Sequence, residues 1–123
     1  MTLRCLIVDD NEQFLRAASS NLGRNGIEVV GTATSSTTAL EQVEKLRPDV
    51  VLVDVGLGEE SGFELTLRLL DAYPYLASRV VLISTHAEDD LGDLLAESPA
   101  VGFISKSDLS SSTVLDRLRL ADS

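Results

Sequence analysis

Asp9, Asp10, Asp54, Ser84 and Lys106 each stand at or just past the end of an apolar run. Leu6-Ile7-Val8 leads into Asp9-Asp10, Val50–Val53 into Asp54, Val80–Ile83 into Ser84-Thr85, and Phe103-Ile104-Ser105 into Lys106. If these runs are parallel strands of one sheet, their C-terminal ends gather three carboxylates, a hydroxyl and an ammonium at one edge. Three carboxylates that close cannot all stay ionised near neutral pH without compensation. A hard divalent cation compensates them, and Mg²⁺ takes a few carboxylates plus phosphate oxygens while keeping several waters. The expected ligands are Asp9, Asp10 and Asp54, with the backbone carbonyl of Gly56 added from the turn after Asp54. Asp54 is the nucleophile candidate, since a carboxylate can attack phosphorus and form an acyl phosphate. Lys106 and the metal would screen the transferring oxygens, and Ser84 could donate a hydrogen bond to one of them. Taken singly, each residue has a plainer explanation. Asp9 and Asp10 could cap the first helix, Lys106 could be a surface lysine, and Ser84 could simply end a strand. Their coincidence at four strand ends favours a site.

The elements that must position them alternate. Strand-like runs are expected at Leu3–Val8, Glu28–Ala33, Asp49–Val53, Arg79–Ile83 and Val101–Ser105. Helical spacing is expected over Glu12–Asn25, Thr37–Leu46 (with Ser36 as its cap), Phe63–Ala72, Asp89–Glu97 and Thr113–Leu120. Gly56–Gly62 reads as a loop rich in Gly and Glu. The first, third and fourth strands are nearly continuous apolar runs, the pattern of strands buried on both faces. Five βα units with right-handed crossovers predict an α/β, doubly wound, five-stranded parallel sheet in three layers. Ligands of such a sheet lie at the C-terminal strand ends near the topological switch point.

The 123 residues suit one domain, residues 1–123, with one core. Ten basic against twenty acidic side chains give a formal net charge of −10. That balance repels nucleic acid, so direct DNA binding by these residues is not expected. No run is long and apolar enough for a membrane span, and no signal-peptide pattern opens the chain. Cys5, the single cysteine, reads as a small buried hydrophobe. Together these features point to the cytoplasm.

Five motifs in order then resemble a response-regulator receiver domain of two-component signalling. They are Ile7-Val8-Asp9-Asp10-Asn11, Pro48-Asp49-Val50-Val51-Leu52-Val53-Asp54, Ser61-Gly62, Ile83-Ser84-Thr85 and Gly102-Phe103-Ile104-Ser105-Lys106. The resemblance implies a flavodoxin-like strand order 2-1-3-4-5. It implies Asp54 as phosphoacceptor, Asp9 and Asp10 as Mg²⁺ residues, Lys106 as the phosphoryl partner, and Ser84 with Phe103 as the switch pair. It implies a sensor histidine kinase or phosphotransfer protein as donor, and it is compatible with a homodimer. Ile27–Ala33 and Gly102–Lys106 further resemble receivers that precede a LuxR-type helix-turn-helix output domain.

The sequence departs from that family at its rim. Gly58 replaces a usual proline, implying a less rigid loop beside Asp54. Thr85 replaces a smaller residue and would narrow access, and Ser107 replaces a proline that favours a cis bond. His86 falls two residues past Ser84, where in this family a side chain can tune hydrolysis, although it reads more simply as a solvated loop residue. Three rival readings share parts of the set. An aspartyl-phosphate phosphatase needs a second acid two residues past the nucleophile, where Gly56 stands. A receiver-like interaction module would not respond to phosphate. A flavodoxin-like cofactor binder would set acidic strand ends against a flavin phosphate. The chain is thus expected not to be an enzyme beyond its own phosphoryl transfer and slow hydrolysis.

Overall fold

The computed structural model describes residues 2–85 and 91–122, with side chains through Arg119. Among the described residues seven strands form: β1 (Leu3–Val8), β2 (Ile27–Ala33), β3 (Val50–Asp54), β4 (Gly56–Leu57), β5 (Glu60–Ser61), β6 (Val80–Ser84) and β7 (Gly102–Ser105). The helices are α1 (Glu12–Arg24), α2 (Ser36–Leu46), α3 (Gly62–Ala72), α4 (Gly92–Glu97) and α5 (Ser111–Asp122). Five strands make one sheet in the order β2-β1-β3-β6-β7, every pair parallel. This is the expected 2-1-3-4-5 order once the short β4 and β5 are set aside. The order reverses between β1 and β3, so the switch point lies between Asp9-Asp10 and Asp54.

Strand parity divides the core. Leu6, Val8, Val51, Val53, Leu82 and Phe103 join Ala39 and Val43 of α2 and Leu65 and Leu69 of α3. Cys5, Ile7, Val50, Leu52, Val81, Ile83 and Ile104 join Leu15, Ala18 and Leu22 of α1 and Val114 and Leu118 of α5. Successive strand residues point to opposite faces, so the continuous apolar runs feed both clusters at once. Cys5 is fully buried, and burial pushes its thiol up to about 12, as expected of a packing residue.

Two local expectations need correction. The cap of α2 is Ser35, whose side chain accepts from the Thr38 N–H at 3.2 Å; Ser36 is already helical and buried. The two serines are adjacent and chemically equal caps, and the extended backbone at Ser35 decides between them. The Gly56–Gly62 stretch contains a tight hairpin, with Gly56 paired to Ser61 and Leu57 to Glu60 in antiparallel register. Gly58 takes φ +66° as the first central residue of its two-residue turn, while Glu59 keeps an ordinary φ. That is the II′ arrangement, which proline cannot adopt. Gly58 therefore meets a conformational demand, where the sequence suggested only a looser loop. Glu60 ties the hairpin to α2 by accepting the Ser36 N–H at 3.0 Å. The fourth helix is described only over Gly92–Glu97, and its expected start at Asp89 lies outside the described residues.

Candidate functional site

The C-terminal ends of β1, β3, β6 and β7 bring the predicted residues to one edge. Parity continues past the strand ends. Cys5-Ile7-Asp9, Val50-Leu52-Asp54 and Ile104-Lys106 all follow the face covered by α1 and α5. Ser84 follows Leu82 on the opposite face, the one that carries Phe103. Asp9, Asp54 and Lys106 thus occupy one side of the sheet edge, and Ser84 and Phe103 the other.

The local backbone explains why the acids are available. Asn11, not an aspartate, caps α1, accepting the Phe14 N–H at 3.1 Å. Asn11 also donates its own N–H to Asp9 Oδ1 at 2.9 Å. Asp9 is fully buried, and its Oδ2 meets the Lys106 ammonium at 2.5 Å, with no other partner among the described residues. Asp54 is 8% exposed; its Oδ2 lies 3.3 Å from Lys106 Nζ, and its Oδ1 accepts the Gly56 N–H at 3.3 Å. Asp10 is exposed, and one oxygen from each of Asp9, Asp10 and Asp54 falls within 4.8 Å of the others. Ser84 is buried and Thr85 exposed beside it. His86 lies outside the described residues. The Lys106–Ser107 peptide is trans, since no described peptide bond is cis.

Two glycines set how closely these parts approach. Gly62 opens α3 directly beneath Asp54, and a Cβ there would meet the Asp54 carbonyl oxygen at 2.0 Å. Ser61 caps that helix through the Phe63 N–H at 3.1 Å, so the Ser-Gly pair starts α3 and admits β3 beside it. A Cβ at Gly58 would lie 3.6 Å from Asp10 Oδ2, which places the hairpin turn at the rim of the acidic cluster.

The electrostatics follow from burial and like charge. Desolvation, then the neighbouring Asp9 charge, raise the Asp54 carboxyl above its ordinary 3.8, against the pull of Lys106 and the Gly56 N–H. Burial alone would lower Lys106, but its contact with Asp9 and the charges of Asp54 and Asp9 outweigh that and raise it above 10.5. The stabilisation from Lys106 is therefore complete below its unfolded pKa of 10.5. It is lost only as alkaline pH passes the higher folded value.

Lys106→Met should thus destabilise the protein in metal-free buffer at pH 7. The expected loss is about 3–5 kcal/mol, because Asp9 is left buried and uncompensated. Urea unfolding measures it, and Mg²⁺ should restore part of the loss if the acids take the cation.

Sequence reasoning missed one contact. Lys106 Nζ lies 4.3 Å from the centroid of the Phe14 ring. Phe14 falls within the helix expected over Glu12–Asn25, and no sequence signal joins that helix to the last strand.

Against known proteins, residues 5–118 match the response regulator receiver domain family. The response regulator GacA of Pseudomonas viridiflava is 33% identical over 105 residues, which cover 85% of this chain and 48% of GacA. The chain thus spans about half the length of that relative. The signal receiver domain of NarL from Mycobacterium tuberculosis superposes with a TM-score of 0.81 at 27% identity, covering 96% of this chain and 97% of that one. A response regulator from Burkholderia pseudomallei, solved with a phosphorylated aspartic acid, calcium ion and citrate, has a TM-score of 0.78 at 25% identity. It covers 94% of this chain and 66% of that one.

Proposed function

Because this chain belongs to the response-regulator receiver family of two-component signalling, we propose that it is a phosphorylation-dependent switch with Asp54 as its phosphoacceptor. The observation that carries this reading is the nearly buried Asp54 carboxylate, set beside buried Asp9 and bridged to it by Lys106. The phosphorylated aspartate and calcium ion of the Burkholderia relative support it, as a phosphoryl group and a divalent cation held in a similar fold.

The donor set suits Mg²⁺. It consists of hard carboxylate oxygens, one of them buried with only an ammonium for partner, close enough to share an ion. Asp9, Asp10 and Asp54 would hold it, with the Gly56 carbonyl as an added ligand. When bound, the ion supplies charge screening for the phosphoryl oxygens. Asp54 attacks the phosphorus of a phosphohistidine on a sensor kinase or phosphotransfer protein. The P–N bond breaks, and its electron pair leaves with the imidazole. Lys106 then passes from the Asp54 carboxylate to a phosphoryl oxygen.

The acyl phosphate carries roughly −1.5 to −2 charge where the carboxylate carried −1, and it sets strong acceptor oxygens at this edge. Ser84 donates its hydroxyl to the new group, and Phe103, on the same face, follows into the space released. A hollow of about 180 Å³ lined by Leu82, Leu95, Ala100 and Phe103 leaves this face room to repack. Two packings a few kcal/mol apart suffice for a population shift. The regulated element is an output domain or partner, a LuxR-type helix-turn-helix being the reading favoured by the resemblance of Ile27–Ala33 and Gly102–Lys106. Turnover of an external substrate is not part of this function.

A beryllofluoride titration with Mg²⁺, followed by amide spectra, tests the switch. Asp54, Ser84 and Lys106 should shift, and the change should spread to Phe103. Spectra that stay unchanged would instead favour an interaction module indifferent to phosphate. Thr85→Ala should accelerate phosphoryl uptake or loss by about two- to fivefold, a modest rim effect worth under about 1 kcal/mol. Stopped-flow rates identical to wild type would remove Thr85 as a modulator.

A further inference from the structure

We propose that Phe14 is a positioning residue for the phosphoryl site, its ring face holding the Lys106 ammonium against Asp9 and Asp54. The inference rests on Asp54 being the phosphoacceptor, and it adds a residue that acts through Lys106 without touching the phosphoryl group.

The ammonium has three contacts from different elements: Asp9 Oδ2 at 2.5 Å, Asp54 Oδ2 at 3.3 Å and the Phe14 centroid at 4.3 Å. The negative face of an aromatic ring attracts a cation at that range, most strongly where water is thin. The Lys106 side chain is 13% exposed, so water is thin here. Asn11 fixes two of these partners to each other. Its N–H donates to Asp9 Oδ1 at 2.9 Å, and its Oδ1 accepts the Phe14 N–H at 3.1 Å. The start of α1 therefore presents a carboxylate and a ring as one unit, and Lys106, from the far edge of the sheet, docks into it.

The ring has a particular use at the moment of transfer. Asp54 gives up an ammonium contact when it becomes an acyl phosphate, and the phosphoryl oxygens need that ammonium close by. The ring face does not change in that step. It holds Lys106 near the edge while its carboxylate contacts exchange. Packing alone would not require this geometry, because Phe14 is only half-buried against the apolar cluster under α1 and α5, and leucine would cover the same apolar surface.

The test compares wild type, Phe14→Leu and Phe14→Tyr in the full chain with Mg²⁺ and acetyl phosphate. Two quantities are read: the rate of phosphoryl uptake, and the ring-current shift of the Lys106 Cε protons by NMR. Phe14→Leu should slow uptake about three- to tenfold, the size of one partly desolvated cation–ring contact, and should abolish the ring-current shift. Phe14→Tyr should keep the shift and restore uptake to within about twofold of wild type. Uptake by Phe14→Leu at the wild-type rate, or a wild-type spectrum with no ring-current shift at Lys106, overturns the role of Phe14 and leaves the phosphoacceptor reading standing. Failure of the wild type itself to take up phosphate overturns both.

Discussion

Asp54→Asn is expected to abolish phosphoryl uptake and, in metal-free buffer, to make the protein more stable. The first effect follows from chemistry, since an uncharged amide is no nucleophile toward phosphorus at neutral pH. The second follows from the site. Asp54 is 8% exposed beside the fully buried Asp9, and burial, then the Asp9 charge, hold its carboxyl above 3.8 despite Lys106. A carboxyl whose folded pKa is raised binds its proton more tightly in the native state than in the unfolded chain. Between 3.8 and the raised value the native state holds the extra proton, so stability falls as pH rises through that window. Above it the penalty stays constant, and Asn removes it. The variant should therefore be the more stable protein at pH 7. The difference should shrink as pH falls below the raised folded value, where a growing share of wild-type Asp54 is neutral as well. Urea unfolding at pH 7 and pH 4 measures the difference. A variant less stable than wild type at pH 7 would mean that the Lys106 contact outweighs desolvation and the Asp9 charge.

Gly62→Ala is the second large effect, and it is steric. The added Cβ would fall 2.0 Å from the Asp54 carbonyl oxygen, 2.8 Å from its carbon and 2.9 Å from the Val55 Cα. All three are backbone atoms at the end of the strand that carries the phosphoacceptor, so no flexible side chain can yield. Either α3 lifts off the sheet or the end of β3 moves, and the expected cost is about 3 kcal/mol. Uptake at Asp54 should fall as well, because the carboxylate moves with its backbone. Gly23→Ala is the matched control. Gly23 sits in α1 with an ordinary φ, and a methyl group added there would meet nothing within 4 Å, so Ala should stabilise by about 0.5–1 kcal/mol. Thermal melts of the two variants should therefore shift in opposite directions. A Gly62→Ala melt at the wild-type temperature would show that α3 packs against β3 less tightly than these distances require.

Much of this site is legible in the sequence because the fold makes strand ends converge. An apolar run followed by a polar residue marks the C-terminal end of a buried strand, and a parallel sheet puts all such ends on one edge. Asp9, Asp54, Ser84 and Lys106 are therefore found by the same rule that finds β1, β3, β6 and β7. What the sequence hides depends on one-residue offsets or on contacts between distant elements. Ser35 and Ser36 are equal as caps until the backbone selects the extended one. The β4–β5 hairpin has two residues per strand, too few for any alternation to register, although Gly58 carries its turn signal. Which face Ser84 takes follows from parity only after the strand bounds are known, and that assignment separates the acids from the switch pair. The ring of Phe14 over Lys106 joins α1 to the end of β7, a pairing that only the closed sheet creates.

Whether Asp54 takes the phosphoryl group is decided by mapping the adduct. The wild-type chain is incubated with Mg²⁺ and a small-molecule phosphoryl donor, the acyl phosphate is trapped by borohydride reduction, and peptides are read by mass spectrometry. One reduced residue is expected, Asp54, present only with both donor and Mg²⁺. Modification of a different residue, or no adduct while the donor labels an authentic receiver in parallel, would contradict that assignment.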